Sequence, residues 1–93
     1  YNKIQSLDFV KNVLKIEPLK QKLNSFNCNV SKIDGHNINQ ITKSLKFKNN
    51  NKPNVIIANT IKGKGVKFME NTVLWHYKSP NKEQLSDAMK DLK

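Results

Sequence analysis

Ninety-three residues at 37% apolar content supply about thirty-four side chains for a core, enough for one small domain and no more. The longest unbroken apolar run, Val55 to Ala58, is far short of the roughly 20 residues that cross a bilayer, and the opening Tyr1-Asn2-Lys3 is not a secretory leader, so membrane and secretory readings are set aside. The net charge of +10 comes from seventeen lysines without one arginine, beside fourteen asparagines; the bidentate fork of specialised phosphate and guanine readers is missing, which favours a solvated, composition-biased surface over a nucleic-acid patch.

Cys28 is the single cysteine and cannot close an intrachain disulfide, so a reducing, cytoplasmic location is expected. Leu7, Phe9, Val10, Val13 and Leu14 are apolar with mixed period, which predicts an irregular stretch and one helical turn. Leu19, Leu23 and Phe26 recur at the spacing of one helical face, and Pro18 stands where its missing N–H costs nothing, so a helix is predicted over Pro18 to Phe26.

From Cys28 to Ile33, apolar and polar residues alternate up to the turn signal Asp34-Gly35, the pattern of a strand. Asn37 and Gln40 have the spacing of a capping box, after which Ile38, Ile41 and Leu45 line one face of a predicted helix over Ile38 to Lys48. A polar connection over Asn49 to Pro53 leads into Val55-Ile56-Ile57-Ala58, a β-branched run suited to a strand covered on both faces. Strand, helix, strand predicts a right-handed βαβ unit with a parallel sheet.

After Thr60 the period is lost through Ile61-Lys62-Gly63-Lys64-Gly65 and on to Ser79-Pro80, a loop long enough to be either disordered or functional. Asn81 and Gln84 then mark a second cap, and Leu85, Ala88, Met89 and Leu92 stripe a closing helix. The expectation is a single partial α/β domain over residues 1–93, with no internal repeat.

In an open parallel sheet, ligands bind beyond the carboxyl ends of the strands. That rule marks Asp34-Gly35-His36 and the glycine-lysine loop. In the latter, Gly63 and Gly65 permit close backbone approach, and Lys62 and Lys64 add charge suited to phosphate. The loop lacks the spacing of a Walker or dinucleotide motif, so an ordinary turn and a phosphate cradle both remain open. His76, in Leu74-Trp75-His76-Tyr77, has no nearby partner in sequence, and one cysteine with two scattered histidines does not make a zinc site.

Three segments carry a resemblance in order and in spacing: Ile33-Asp34-Gly35-His36-Asn37; Pro53 through Ala58 to Lys62-Gly63-Lys64-Gly65 and on to Phe68-Met69-Glu70-Asn71; and Trp75-His76-Tyr77-Lys78-Ser79-Pro80-Asn81. Together with Glu17-Pro18-Leu19, they resemble the amino-terminal half of transketolase, especially the form split into amino- and carboxyl-terminal subunits. The resemblance implies a three-layer αβα thiamine diphosphate-binding fold, of which this chain covers roughly the last third, and so a fragment not competent alone. It implies transfer of a two-carbon ketol unit between phosphorylated sugars, as in the pentose phosphate pathway. It further implies a homo-oligomeric assembled enzyme that includes a carboxyl-terminal partner subunit, with neither nucleic acid nor membrane as partner.

Residue by residue, the resemblance puts His76 at the family's histidine near cofactor and substrate, and Lys62, Gly63 and Lys64 toward the cofactor diphosphate. Asn2 and the Ile4 carbonyl fall at the closing half of the site for Mg²⁺ or Ca²⁺, whose Gly-Asp-Gly half would lie upstream. Asp34 and His36 read as structural, Asp34 capping the turn and His36 packing beneath the site. Tyr77 stands where the family commonly has glycine. A deoxyxylulose phosphate synthase shares the glycine-lysine loop and is the alternative within the thiamine enzymes. A lysine-rich nucleic-acid-binding module is the alternative outside them.

Overall fold

The structure is a computed structural model that describes residues 1–47 and 51–93. It contains two compact units, one made of Tyr1 with Lys15–Thr60 and the other of Asn2–Leu14 with Ile61–Lys93.

The first unit is the α/β part. Helix α2 (Leu19–Ser25) starts after Pro18, and the Glu17 carboxylate accepts the Leu19 N–H at 2.9 Å, satisfying a donor that Pro18 has no side-chain group to meet. Strand β3 (Asn29–Asp34) and strand β4 (Asn54–Asn59) run parallel in register from Asn29↔Asn54 to Asp34↔Asn59. Helix α3 (Ile38–Lys46) connects them, so the predicted βαβ unit is present; Lys48, where the sequence placed the helix end, and Asn49 and Asn50 of the connection lie outside the described residues. Lys32 pairs with Ile57 and Ile33 with Ala58, so Ile33 and Ile57 point to opposite faces of the sheet. Both are buried, at 9% and 6% exposure, as the β-branched run requires. Helices α2 and α3 both pack on β3, and a cleft lined by Pro18, Leu19, Lys32 and Ile57 places the start of α2 on the Ile57 face.

At the end of β3 the Asp34 carboxylate accepts the His36 N–H at 2.9 Å, and Gly35 N–H donates to the Asn59 carbonyl at 2.7 Å. A Cβ on Gly35 would lie 2.6 Å from Thr60 Cγ2 and 2.9 Å from the Asn59 oxygen, so only glycine fits this crossing. Asp34 therefore caps the turn as read, whereas His36 is exposed rather than packed. The box at Asn37 is half formed. Its side chain accepts the Gln40 N–H at 3.0 Å, but the Gln40 side-chain oxygen turns to the Asp34 N–H at 2.8 Å and ties the helix start to the strand end. Tyr1 also belongs to this unit, and its phenol pKa is raised by desolvation and by the neighbouring Glu17.

The second unit begins with a hairpin that the mixed period did not reveal, β1 (Ile4–Gln5) against β2 (Asp8–Phe9), antiparallel, followed by the short helix α1 (Val10–Val13). Ile4 and Val10 are buried there. Later in the chain come two 3₁₀ turns, Lys67–Met69 and Val73–His76, and helix α4 (Lys82–Asp91). Around Asn81 the capping box is complete: Asn81 accepts the Gln84 N–H at 2.8 Å, and Gln84 accepts the Asn81 N–H at 3.0 Å. Among the described residues no helix is long and apolar enough to cross a membrane.

Candidate functional site

His76, Lys62, Gly63, Lys64, Asn2 and Ile4 all fall in the second unit. The glycine-lysine loop folds back on itself through Lys64 N–H to the Ile61 carbonyl at 3.2 Å and Val66 N–H to the Gly63 carbonyl at 3.1 Å. Gly63 has φ 73°, and a Cβ there would lie 2.6 Å from the Met69 carbonyl oxygen. That clash is with backbone and no side chain can yield to relieve it, so Gly63 is a packing requirement of the Lys67–Met69 turn. The turn is itself anchored to α4, because the Asp91 carboxylate accepts the Lys67 N–H at 2.9 Å.

The two lysines of the loop have different partners. Lys62 Nζ donates to the Trp75 carbonyl at 3.1 Å, thirteen residues on, and the Lys62 carbonyl accepts the Asn71 N–H at 3.0 Å. Lys64 Nζ lies 3.8 Å from Glu70 Oε1, and the same oxygen accepts the Gly65 N–H at 3.1 Å. A carboxylate thus occupies the donors of the loop, an ammonium and a backbone N–H converging on one anionic oxygen. Val66 is buried beneath the loop.

The Val73–His76 turn carries His76 at an exposed position and Trp75 half-buried. Trp75 Nε1 donates to the Phe68 carbonyl at 3.1 Å, and the two rings meet edge to face with centroids 5.2 Å apart. Lys78 Nζ sits 5.4 Å from the Trp75 ring centroid. The aromatic pair and Lys62 hold the segment that presents the imidazole.

At the start of the unit, the Asn2 side-chain oxygen accepts the Ile4 N–H at 2.9 Å, with Lys3 between them at φ 64° and its carbonyl accepting the Val10 N–H at 2.8 Å. An amide oxygen has two lone pairs, so Asn2 Oδ1 retains one for a hard cation such as Mg²⁺ or Ca²⁺, the type that oxygen donors suit. Such an ion takes roughly six oxygens, so Asn2 Oδ1 and the Ile4 carbonyl would fill at most two of its positions and the rest would have to come from other groups. Among the described residues there is no cluster of three or more histidine, cysteine, aspartate or glutamate side chains able to hold a metal.

Glu70, Asp91, Phe68 and the Trp75 carbonyl were not singled out from the sequence. Glu70 and Phe68 lie inside the matched segment, but no spacing rule says that residue 70 returns to residue 65.

No protein-family model matches the chain. The A-type subunit of the apulose-4-phosphate transketolase of Actinobacillus succinogenes is 37% identical over 93 residues, covering 99% of this chain and 34% of that protein. The 6-deoxy-6-sulfo-D-fructose transketolase subunit SqwG of Clostridium sp. (strain MSTE9) is 34% identical over 94 residues, with the same two coverages. Transketolase-like protein 2 of Bos taurus is 29% identical over 76 residues, 80% of this chain and 12% of that protein. The chain spans about a third of the length of the two subunits it matches end to end. Over its whole length, then, the chain is a relative of the amino-terminal subunits of transketolases, and its parallel βαβ unit is a partial α/β fold of that kind.

Proposed function

We propose that this chain is part of a transketolase amino-terminal subunit. It is a single partial domain that holds the diphosphate end of thiamine diphosphate and its divalent metal, and it works with a carboxyl-terminal partner subunit. The assembled enzyme transfers a two-carbon ketol unit between phosphorylated sugars. The two relatives matched end to end carry in their names a phosphorylated and a sulfonated sugar, which extends the donor class to ketoses with an anionic terminal group. Thiamine diphosphate, when bound, supplies the carbon nucleophile that takes up the two-carbon unit, and the protein's part is to hold and orient it.

The observation that carries this reading is the tie between the glycine-lysine loop and the histidine turn, Lys62 Nζ to the Trp75 carbonyl at 3.1 Å, which makes the loop and His76 parts of one framework. In this reading Gly63 and Lys64 face the cofactor diphosphate, Lys62 stands beside them with its ammonium on the Trp75 carbonyl, and Asn2 with the Ile4 carbonyl contributes metal oxygens. His76 hydrogen-bonds the reacting oxygen or the substrate's anionic group, moving or holding a proton at its imidazole.

The test is His76→Ala in the complete subunit, joined to its partner and assayed with ketose phosphate donors beside a thermal melt. Loss of an acid–base group lowers kcat/KM by about 10²-fold, with the melting temperature unchanged. Wild-type turnover in the variant overturns the catalytic assignment.

A further inference from the structure

The 3₁₀ turn that carries His76 is closed at its carboxyl end by long backbone hydrogen bonds. Thr72 at its start gives no side-chain cap, and the bonds that close it, Tyr77 N–H and Lys78 N–H to the Leu74 carbonyl, are 3.4 and 3.3 Å long, near the limit for a hydrogen bond in a helix type whose geometry is already unfavourable. Two shorter bonds reach the turn from outside it. The indole of Trp75 is pinned at Nε1 by the Phe68 carbonyl, and the main chain of Trp75 is pinned by Lys62 at 3.1 Å. The Lys62 bond is charge-assisted and half-buried, and such bonds are about twice as strong as neutral ones.

The Trp75 carbonyl lies in the same rigid peptide plane as the His76 N–H. Fixing that oxygen sets the plane from which the His76 Cα and side chain project. We infer that Lys62 is the positioning residue for His76: its ammonium, bonded to the Trp75 carbonyl, sets the 75–76 peptide and so aims the imidazole.

The inference deepens the catalytic reading of His76 and rests on it. It also assigns the two lysines different tasks. Lys62 directs the histidine turn, and Lys64 with the Gly65 N–H supplies the anion-facing charge.

Two measurements test it. Trp75 is the only tryptophan of the chain, so its emission in the 93-residue protein reads the turn without reference to catalysis. Lys62→Met, which keeps the aliphatic stem and removes the ammonium, shifts that emission to longer wavelength and lowers its anisotropy, and Lys62→Arg restores both. Circular dichroism on each variant separates this from unfolding, and Lys62→Arg remains informative if Lys62→Met does not fold.

In the assembled enzyme, Lys62→Met lowers kcat about tenfold, the size expected of a displaced rather than deleted group, while cofactor affinity stays within about twofold. The loss disappears when His76 is already alanine, as coupled residues require. Unchanged Trp75 emission in a folded Lys62→Met overturns the inference. So does a kinetic loss that persists in the His76→Ala background, the signature of direct cofactor binding by Lys62. If His76→Ala alone retains full turnover, the catalytic reading of His76 fails and the kinetic part of this inference falls with it, whereas the emission shift still decides whether Lys62 holds the turn.

Discussion

Glu70 reaches back five residues to Gly65, its Oε1 accepting the Gly65 N–H at 3.1 Å, and in doing so places its carboxylate 3.8 Å from Lys64 Nζ. The loop therefore holds an internal anion at the donors assigned to an external one. Glu70→Gln keeps an oxygen for the Gly65 N–H and removes the competing charge. Because the Lys64 ammonium is half exposed, the pair has the modest energy of a surface ion pair, and the variant is expected to bind inorganic pyrophosphate about two- to fivefold more tightly. Isothermal titration of wild type and variant with pyrophosphate checks this, and equal affinities count against Lys64 and Gly65 as an anion seat.

Gly63→Ala is expected to be the more damaging of the two loop glycine substitutions. At Gly63 a Cβ meets the Met69 backbone at 2.6 Å and the residue must hold φ 73°; at Gly65, with φ 98°, the nearest obstacle is the flexible end of Leu92 at 3.2 Å. Left-handed backbone costs an alanine about 1 kcal/mol, and the Met69 clash adds to that at Gly63 alone. Denaturant melts of the two variants should rank Gly63→Ala below Gly65→Ala, and the reverse order would mean that the Lys67–Met69 turn does not rest on Gly63.

Asn2 accepts the Ile4 N–H and has a second, proposed task at the metal, and two measurements read them apart. Asn2→Ala removes the acceptor of the Ile4 N–H and one proposed metal oxygen together, so the hairpin loses about 1 kcal/mol and the complete subunit retains cofactor less well at limiting Mg²⁺. Asn2→Asp keeps an oxygen for both and restores the hairpin and the metal dependence. Magnesium titrations of cofactor retention beside thermal melts provide the measurement; a variant that loses stability but keeps its Mg²⁺ dependence confines Asn2 to the turn.

The two helix starts should respond differently to the same kind of change. Asn81→Ala breaks a complete reciprocal box and is expected to cost about 1 kcal/mol of helix stability. Gln40→Ala leaves the Asn37 cap intact and instead frees the Asp34 N–H at the end of β3. Hydrogen exchange reads this directly: faster exchange at Asp34 in Gln40→Ala, and at the first turn of α4 in Asn81→Ala.

The elements legible in the sequence are those set by neighbours close along the chain. The α2 stripe of Leu19 and Leu23, the alternation ending at Asp34, the run Val55 to Ala58 and the Asn81–Gln84 box each depend on periodicity or on a reach of three or four residues, and the structure has them within a residue or two. The transketolase resemblance was legible for the same reason, as ordered words with fixed spacing. The hairpin Ile4–Phe9 was not legible, because two-residue strands are too short to show a period.

Tertiary structure alone decided the partners of the chemically active groups. An ammonium on a long flexible stem has many acceptors within reach, and nothing in Lys62-Gly63-Lys64-Gly65 says that Lys62 turns to a carbonyl thirteen residues away while Lys64 meets Glu70. Likewise Gln40 has the spacing of a capping box, yet the end of β3 offers it a strand N–H in place of the helix cap. Local sequence determines which backbone conformations are cheap; which polar groups then pair depends on what the folded chain brings within about 3 Å, and that distance is set by packing.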